Sequence, residues 1–526
     1  MNKKPDYQQQ EEFQNRTAKL AHLREMGVDP YPAKYTPLHT AAELQRQIQS
    51  PSQTAESTPL IGDSEEAAAG KTQEASIAGR VLLYRSMGKN AFAHLQDATG
   101  RIQVMFNREL TKWHGVPEAA DARFMEKKLD LGDLVGLKGH LFLTHKGELT
   151  LFVKEATLLC KTLLPLADKH GGLVDKELRY RKRWLDLIVR PDVADLFRLR
   201  SRILREIRAY LDQQGFLEVE TPVLQNLYGG AEARPFKTHL HALDQDMFLR
   251  ISLEISLKKL LVGGMDRVYE MGKVFRNEGI DRNHNPEFTL LEAYAAYWDY
   301  WDAMDCVEKL FEKLALSIYG TTQIPYRLTE EGEQQLVDLK APWKRISMKD
   351  SIKEYGNLDV DSLTDDQMRK LLEESGHCAL DKLRLLSRGL LIAALFEVKV
   401  EPHLIQPHHI FDHPLETTPL CKSHRDPVKR AEGLVERFES FILGQEVCNS
   451  YSELNDPEMQ RHLLELQASR RDAGDEEASP LDEGFIEAMC QGMPPAAGFG
   501  IGIDRLVMIL TQTHSIRDVL YFPWMK

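Results

Sequence analysis

The sequence predicts an α+β protein: a small N-terminal β-barrel, then a larger domain in which helices flank strand hairpins. Three observations carry this reading. Five short strand signals fall at 77–84, 91–97, 101–106, 134–144 and 149–158, punctuated by Gly88, Gly100 and Gly147. Two hairpin patterns, 268–294 and 437–454, occur in the second half. Between barrel and hairpins, 192–214 carries apolar residues at 196, 199, 203, 207, 210 and 211, the spacing of an amphipathic helix.

The chain has 526 residues, 42% of them hydrophobic, enough to build two or more domains. Its net charge of −13 excludes a globally basic field, so any nucleic-acid contact must come from local patches. The six cysteines are scattered, and no pair has the Cys-x-x-Cys spacing of a zinc site or belongs to a disulfide framework. The N-terminus is polar, and no run of 18 apolar residues occurs. The expectation is a soluble cytoplasmic protein with no membrane segment.

Residues 8–26 have weak helical character, and 49–76, rich in Ser, Thr, Ala, Glu and Gln, reads as a flexible linker. Five strands in so short a stretch suggest an OB-fold, a barrel used for single-stranded nucleic acid. Phe92 and Gln103 lie on neighbouring strands. An exposed Phe can stack an unpaired base and a Gln can bond its edge, although a core role for Phe92 is the commoner case. The run 175–187, DKELRYRKRWLDL, is strongly basic and reads as a solvated helix face or an interdomain hinge.

The amphipathic helix stops at Gly215, a natural C-cap, and FLEVETPVL follows as a strand. YGGAEARPF, around Gly230, is a Gly-rich turn, and MFLRISLEISLKKL reads as a strand entering a helix with Glu254 at the strand end. In the first hairpin, period-two alternation puts Arg276 and Glu278 on one face, and Phe288, Leu290, Glu292 and Tyr294 on another. Arg suits a phosphate or carboxylate, a ring can stack on a base, and a buried carboxylate needs a cation. An edge hairpin with solvated charges fits the same residues. In the second hairpin, Glu439 and Glu446 flank a turn near Gly444 and could share a hard cation such as Mg²⁺. Asn449, Tyr451 and Glu453 alternate onto one face. Residues 321–400 read as helices and turns without a chemical cluster. His403, His408, His409 and His413 lack the fixed spacing to Cys or carboxylate that would make a metal site persuasive. Gly498, Gly500 and Gly502 give one strand face without side chains, against which a flat base or ribose can lie. Arg505 opens the helix 505–511.

FRNE, a His- and Arg-containing loop and then NPEFT resemble motif 2 of class II aminoacyl-tRNA synthetases, and in detail the lysyl-tRNA synthetase family. Helix, strand and Thr-Pro resemble motif 1, GFGIGIDR resembles motif 3, and RFESFILGQEVCNSYSELND is similar to the lysyl stretch. GRVLLYRSMGKNAFAHLQDATGRIQ resembles the anticodon-binding barrel of the lysyl, aspartyl and asparaginyl enzymes. The resemblance implies an N-terminal extension at 1–75, helical then flexible; an OB-fold at 76–162; a hinge at 163–190; and a class II catalytic domain at 191–526, built on a mostly antiparallel sheet. Motifs 1, 2 and 3 fall at about 192–224, 268–294 and 496–511. The implied reaction joins L-lysine to ATP as lysyl-adenylate, releases pyrophosphate, and passes lysine to the 3′ end of tRNA(Lys).

The same resemblance assigns residues. Arg276 and Arg505 are catalytic, Arg276 on the α-phosphate and substrate carboxylate and Arg505 on the γ-phosphate. ATP is further held by Glu278, His284, Asn285 and Phe288, and by Mg²⁺ on Glu439 and Glu446. Lysine is held by Gly230, Glu254, Arg276, Glu292, Tyr294, Asn449, Tyr451 and Glu453. Phe92, Gln103 and Glu148 meet the anticodon, and the partner across motif 1 is a second copy of the chain. Relatives that ligate lysine to a protein lack the barrel. Degenerate, non-enzymatic relatives usually lose the motif arginines or metal glutamates, all of which stand here.

Overall fold

The computed structural model describes residues 5–49, 61–117, 124–166, 175–327, 332–376 and 383–525. The chain forms two units, 1–172 and 173–526.

In the first unit, Glu74–Met87, Asn90–Gln96, Arg101–Asn107, Leu134–Leu143 and Leu149–Cys160 form the five expected strands. Parallel pairing of Arg101–Asn107 with Leu149–Cys160 closes them into a barrel, which removes the exposed edges. Alternation fills it: Ala91, Ala93 and Leu95 point in, while Phe92, His94 and Gln96 point out. The N-terminal extension is more ordered than its composition suggests. Helices Glu11–Glu25 and Ala41–Gln49 precede the barrel, and Leu23, Val28, Ala41 and Leu44 join its core. Of the stretch read as linker, 50–60 lie outside the described residues. Ser64–Ala68 is instead a helix, with Asp63 and Glu66 forming a capping box, and the first strand already begins at Glu74.

The second unit is organised on an eight-stranded sheet. Its order is Lys344–Ser347, His408–Pro414, Leu434–Ile442, Gln445–Ser452, Ala496–Gly502, Glu287–Ala296, Arg267–Phe275 and Leu217–Glu218. Only the two outermost pairings are parallel; the five between them are antiparallel. Helices Pro191–Gln213 and Tyr300–Tyr319 bury Ile203, Ile207, Leu211, Val307, Leu310 and Phe311 in the main core. Pro191 suits the first helical position, where its missing N–H costs nothing. Gly215, with φ of 81°, ends that helix in the left-handed region. Arg200 reaches from it to buried Asp504 at 2.6 Å, and Asp504 accepts the Thr289 N–H at 2.8 Å.

Three local expectations change. FLEVETPVL contributes only Leu217–Glu218 to the sheet. Glu254 is not at a strand end: it opens helix Glu254–Val262, and the strand before it, Gln245–Leu249, belongs to a small separate sheet. The first strand of the motif 2 hairpin stops at Phe275, so Arg276 and Glu278 lie beyond it. The histidines are tied into packing. His409 bonds Ser440 and stands 3.4 Å from Glu308, His413 bonds the Ile410 carbonyl, and His408 bonds Tyr355.

Of the segment 163–190, residues 167–174 lie outside the described residues, and 175–190 form helices Lys176–Arg181 and Arg183–Val189. The basic run is partly internal. Arg179 and Arg183 both meet buried Asp186 at 2.9 Å. Arg183, 1% exposed, also donates to the carbonyls of Arg517, Leu520 and Tyr521. Removing one partner of a buried, hydrogen-bonded pair leaves the others unsatisfied. Arg183→Met is therefore expected to lower stability by about 3 kcal/mol in urea unfolding; an unchanged midpoint would show that these bonds carry no net stability.

Candidate active site

Strand Ala496–Gly502 lies between the two hairpins and sets the geometry. Gly500 pairs with Asn449 on one side and Glu292 on the other; Asn449 pairs onward with Glu439. Gly498 likewise pairs with Tyr451 and Tyr294. Cross-strand partners share a face, so two adjacent rows bring these side chains together over glycine. The gap at Gly498 is required: a Cβ there would stand 2.2 Å from the Tyr294 ring and 2.5 Å from Glu453 Oε1.

The result is a cavity of about 500 Å³. At its inner end three carboxylates are withdrawn from water: Glu254, Glu292 and Glu453, each 5% exposed or less. Glu292 accepts from Ser252 Oγ (2.7 Å), the Leu253 N–H (3.1 Å) and the Tyr294 hydroxyl (3.1 Å). Burial, with repulsion from Glu254, still pushes its carboxyl up to about 7 against those bonds. Glu254 accepts from the Tyr451 hydroxyl at 2.7 Å. Lys258, fully buried, stands 2.5 Å from both Glu254 Oε1 and Glu453 Oε2. Glu453 Oε1 has no hydrogen-bond partner among the described residues, and burial pushes its carboxyl up although Lys258 pulls the other way. Gly230, with φ of 85°, lets its loop close over this end; a Cβ there would stand 2.8 Å from Ser252 Oγ.

The outer end carries cations and a ring. The Arg276 guanidinium lies 5.2 Å from the centroid of Phe288. Arg505, in the first turn of helix Ile503–Thr511, donates to the Glu446 carbonyl at 2.9 Å and lies 3.3 Å from His284 Nε2. Asn285 donates to the Glu287 carbonyl at 2.5 Å, and Glu278 is exposed but lines the cavity. Glu439 and Glu446 line it as well. Glu446 is pushed up by burial and by repulsion from Glu439.

Every residue expected to meet ATP or lysine therefore lines one cavity. Three that sequence reasoning missed, Arg437, Ser252 and Lys258, help to build it. Arg437 donates to Glu439 at 2.5 Å and to Asn449 Oδ1 at 3.0 Å, holding both. Ser252, read only as a departure from the family spelling, is a donor to Glu292. Lys258 is legible as the i+4 partner of Glu254 once both are placed on a helix. Gly498 is legible from its alternation, but not the clash it prevents. In the barrel unit, Gln103 and Glu148 line a shallow hollow with Gln45, His94 and Arg101. Phe92 is half-buried against a separate apolar cluster, with Met105, Phe142 and Phe152.

Against this geometry, residues 175–526 match the family model for tRNA synthetases class II (D, K and N), and 75–159 match an OB-fold nucleic acid binding domain. The chain belongs to the class II tRNA synthetases. Its relatives narrow the family to the lysine–tRNA ligases, to which the chain belongs along its whole length. It is 55% identical to the lysine–tRNA ligase of Chlamydia caviae over 99% of this chain and 98% of the relative. It is 46% identical to that of Moorella thermoacetica over 97% of both, and 45% identical to that of Nostoc punctiforme over 97% of this chain and 87% of the relative.

A raised Glu292 fixes a sign. Any cation bound at Glu292 needs the ionised carboxylate, so protonation competes with it. With Glu453 raised to about 8 beside it, the KM for lysine is expected to be level above about pH 8 and to rise below it, approaching about tenfold per pH unit for each carboxylate that must lose its proton. A KM that is level from pH 8 to 5.5 would show that Glu292 does not titrate in this range.

Proposed function

We propose that the chain activates L-lysine with ATP, forms lysyl-adenylate with release of pyrophosphate, and transfers lysine to the 3′ end of tRNA(Lys), using the residues assembled in this cavity. The observation that carries the residue assignment is the charge at the inner end. Three buried carboxylates face one resident ammonium, so once all three are ionised two negative charges remain unmatched, and a ligand carrying two ammonium groups supplies the difference. Glu292, Glu453 and the Tyr294 hydroxyl surround the ε-ammonium; Glu254 and the Gly230 backbone take the α-ammonium.

Arg276 stands between the two ends of the cavity. It binds the substrate carboxylate and the α-phosphate together, holding the attacking oxygen in line with the bond that breaks. Asn449, whose Oδ1 already accepts from Arg437, has its amide N–H groups left to orient the same carboxylate. Phe288 stacks the adenine, with Glu278 by its amino group. Arg505, with His284 and Asn285 beside it, takes the terminal phosphate charge as pyrophosphate leaves. Glu439 and Glu446 form the donor set a hard cation takes, two carboxylates completed by phosphate oxygens. Mg²⁺ bound there would neutralise the leaving group. Two further assignments follow. Exposed Leu217, Val223 and Leu224 in the motif 1 stretch supply apolar surface for a homodimer. Gln103, Glu148 and Phe92 meet the anticodon, in a protein acting in the cytoplasm.

Pyrophosphate exchange into ATP without tRNA tests the pocket. Exchange is expected with lysine and not with aspartate or asparagine, and Glu292→Gln should reduce it about a hundredfold or more. Wild-type exchange in that variant would remove Glu292 from the site. The barrel is tested separately. Gln103→Ala is expected to raise the KM for tRNA(Lys) while leaving tRNA-free exchange unchanged; equal tRNA kinetics would place the anticodon elsewhere.

A further inference from the structure

Lys258 has no role in the chemistry above, yet its position is among the most constrained in the molecule. It sits on the second turn of helix Glu254–Val262 with no exposure at all. Its ammonium stands 2.5 Å from one oxygen of Glu254 and 2.5 Å from one oxygen of Glu453. The Tyr451 and Phe485 rings lie 5.4 and 6.0 Å away. Only one oxygen of each glutamate is therefore engaged by the cation. Glu453 Oε1 stays unpartnered in the cavity, in the gap left by Gly498.

We infer that Lys258 is the positioning residue of the amino-acid pocket: it orients Glu254 and Glu453, offsets part of their charge, and leaves one oxygen of Glu453 free for the substrate ammonium. The inference rests on the reading of this cavity as the lysine site. Two buried carboxylates facing Glu292 would otherwise repel one another, and Glu453, pushed up to about 8 even against the pull of Lys258, would be pushed further. A protonated Glu453 would present a hydroxyl donor to an incoming ammonium, where an acceptor is needed. Lys258 also limits the surplus negative charge to what one doubly cationic ligand matches.

The groups facing Lys258 and its partners are few. Glu254 lies on its own helix, Glu292 and Tyr294 on strand Glu287–Ala296, and Tyr451 on strand Gln445–Ser452, with Glu453 just beyond that strand. Cys421 pairs with Glu453 in an isolated bridge and is itself faced by Arg437 and Glu436, while Arg276 faces Glu292. Lys258 is the cation in contact with Glu254 and Glu453. Burial opposes its charge, but Glu254 and Glu453 together hold the ammonium above its ordinary value. Removing it should therefore push the titration of Glu453 further upward.

Lys258→Met keeps the shape of the chain and deletes the charge. In pyrophosphate exchange its KM for lysine is expected to rise about a hundredfold, with the KM for ATP changed less than about threefold. The lysine KM should still be falling above pH 8.5, where the parent has levelled, because higher pH re-ionises Glu453. A variant with the parental lysine KM and pH profile overturns the inference, as does a loss that higher pH does not relieve. Should the variant not fold, calorimetry on the parent decides at pH 8.5 in buffers of different ionisation enthalpy, above the values to which Glu292 and Glu453 are raised with Lys258 in place. Release of less than about half a proton on lysine binding supports the inference, and release of more overturns it. If the parent itself shows no exchange with lysine, the site reading fails first, and that outcome is distinct from either result on Lys258.

Discussion

Carboxylates withdrawn from water in one cavity are the constraint on which the rest of the catalytic unit depends. An isolated buried carboxylate protonates or finds a cation, and this cavity holds three at its inner end. The protein meets that demand in several ways. Lys258 bridges two of them, and Glu292 is surrounded by a hydroxyl, an amide and a phenol. The remaining demand is left for a ligand. Arg437 serves the same purpose at the outer end by holding Glu439. The sheet makes this possible because antiparallel pairing fixes which residues oppose each other, and because a glycine strand runs between the two functional hairpins. A side chain at Gly498 would fill the space where the phenol and a carboxylate oxygen converge. The helices behind the sheet supply apolar burial, and the Arg200–Asp504–Thr289 link ties the first of them to the strands that carry the site.

Much of this was legible in the sequence, for a physical reason. Strand side chains alternate with period two, so a hairpin declares which residues share a face. The positions of Glu292, Tyr294, Asn449 and Tyr451 were readable without coordinates. The five barrel strands were legible from their turns. What escaped the reading depends on contacts distant in sequence. Placing Glu254 at a strand end hid its helical relation to Lys258, since that relation exists only when both residues share a helix. Ser252 looked like a mere spelling difference because its bond to Glu292 spans forty residues. Charge patterning put Arg183 in solvent, yet three carbonyls near the C-terminus and Asp186 draw it inside. Phe92 follows the same rule in reverse: its strand pattern favoured the core, whereas it points out of the barrel and is half-covered by a separate apolar cluster.

The comparisons and the geometry bear on different questions. Identity along the whole chain establishes the family. The arrangement of charges in this molecule gives a physical reason for it, because the cavity is built for a ligand with more positive than negative charge at its deep end. An enzyme selecting an acidic amino acid needs the opposite arrangement, and no basic side chain other than the engaged Lys258 lies among the inner residues described here. Selectivity of this kind is set by electrostatics before shape, since an ill-matched charge in a desolvated cavity costs more than a missing methylene.

The wall of the N-terminal barrel has a practical consequence. Its core includes Leu23 and Val28, at the end of the first long helix and just beyond it, and Ala41 and Leu44 from the second. These residues precede the 75–159 segment that matches the barrel family. A fragment excised at that boundary would expose the apolar patches those side chains cover, and such patches drive self-association. The smallest soluble version of this barrel therefore starts well ahead of its first strand. An expression fragment meant to study tRNA recognition in isolation should carry both N-terminal helices.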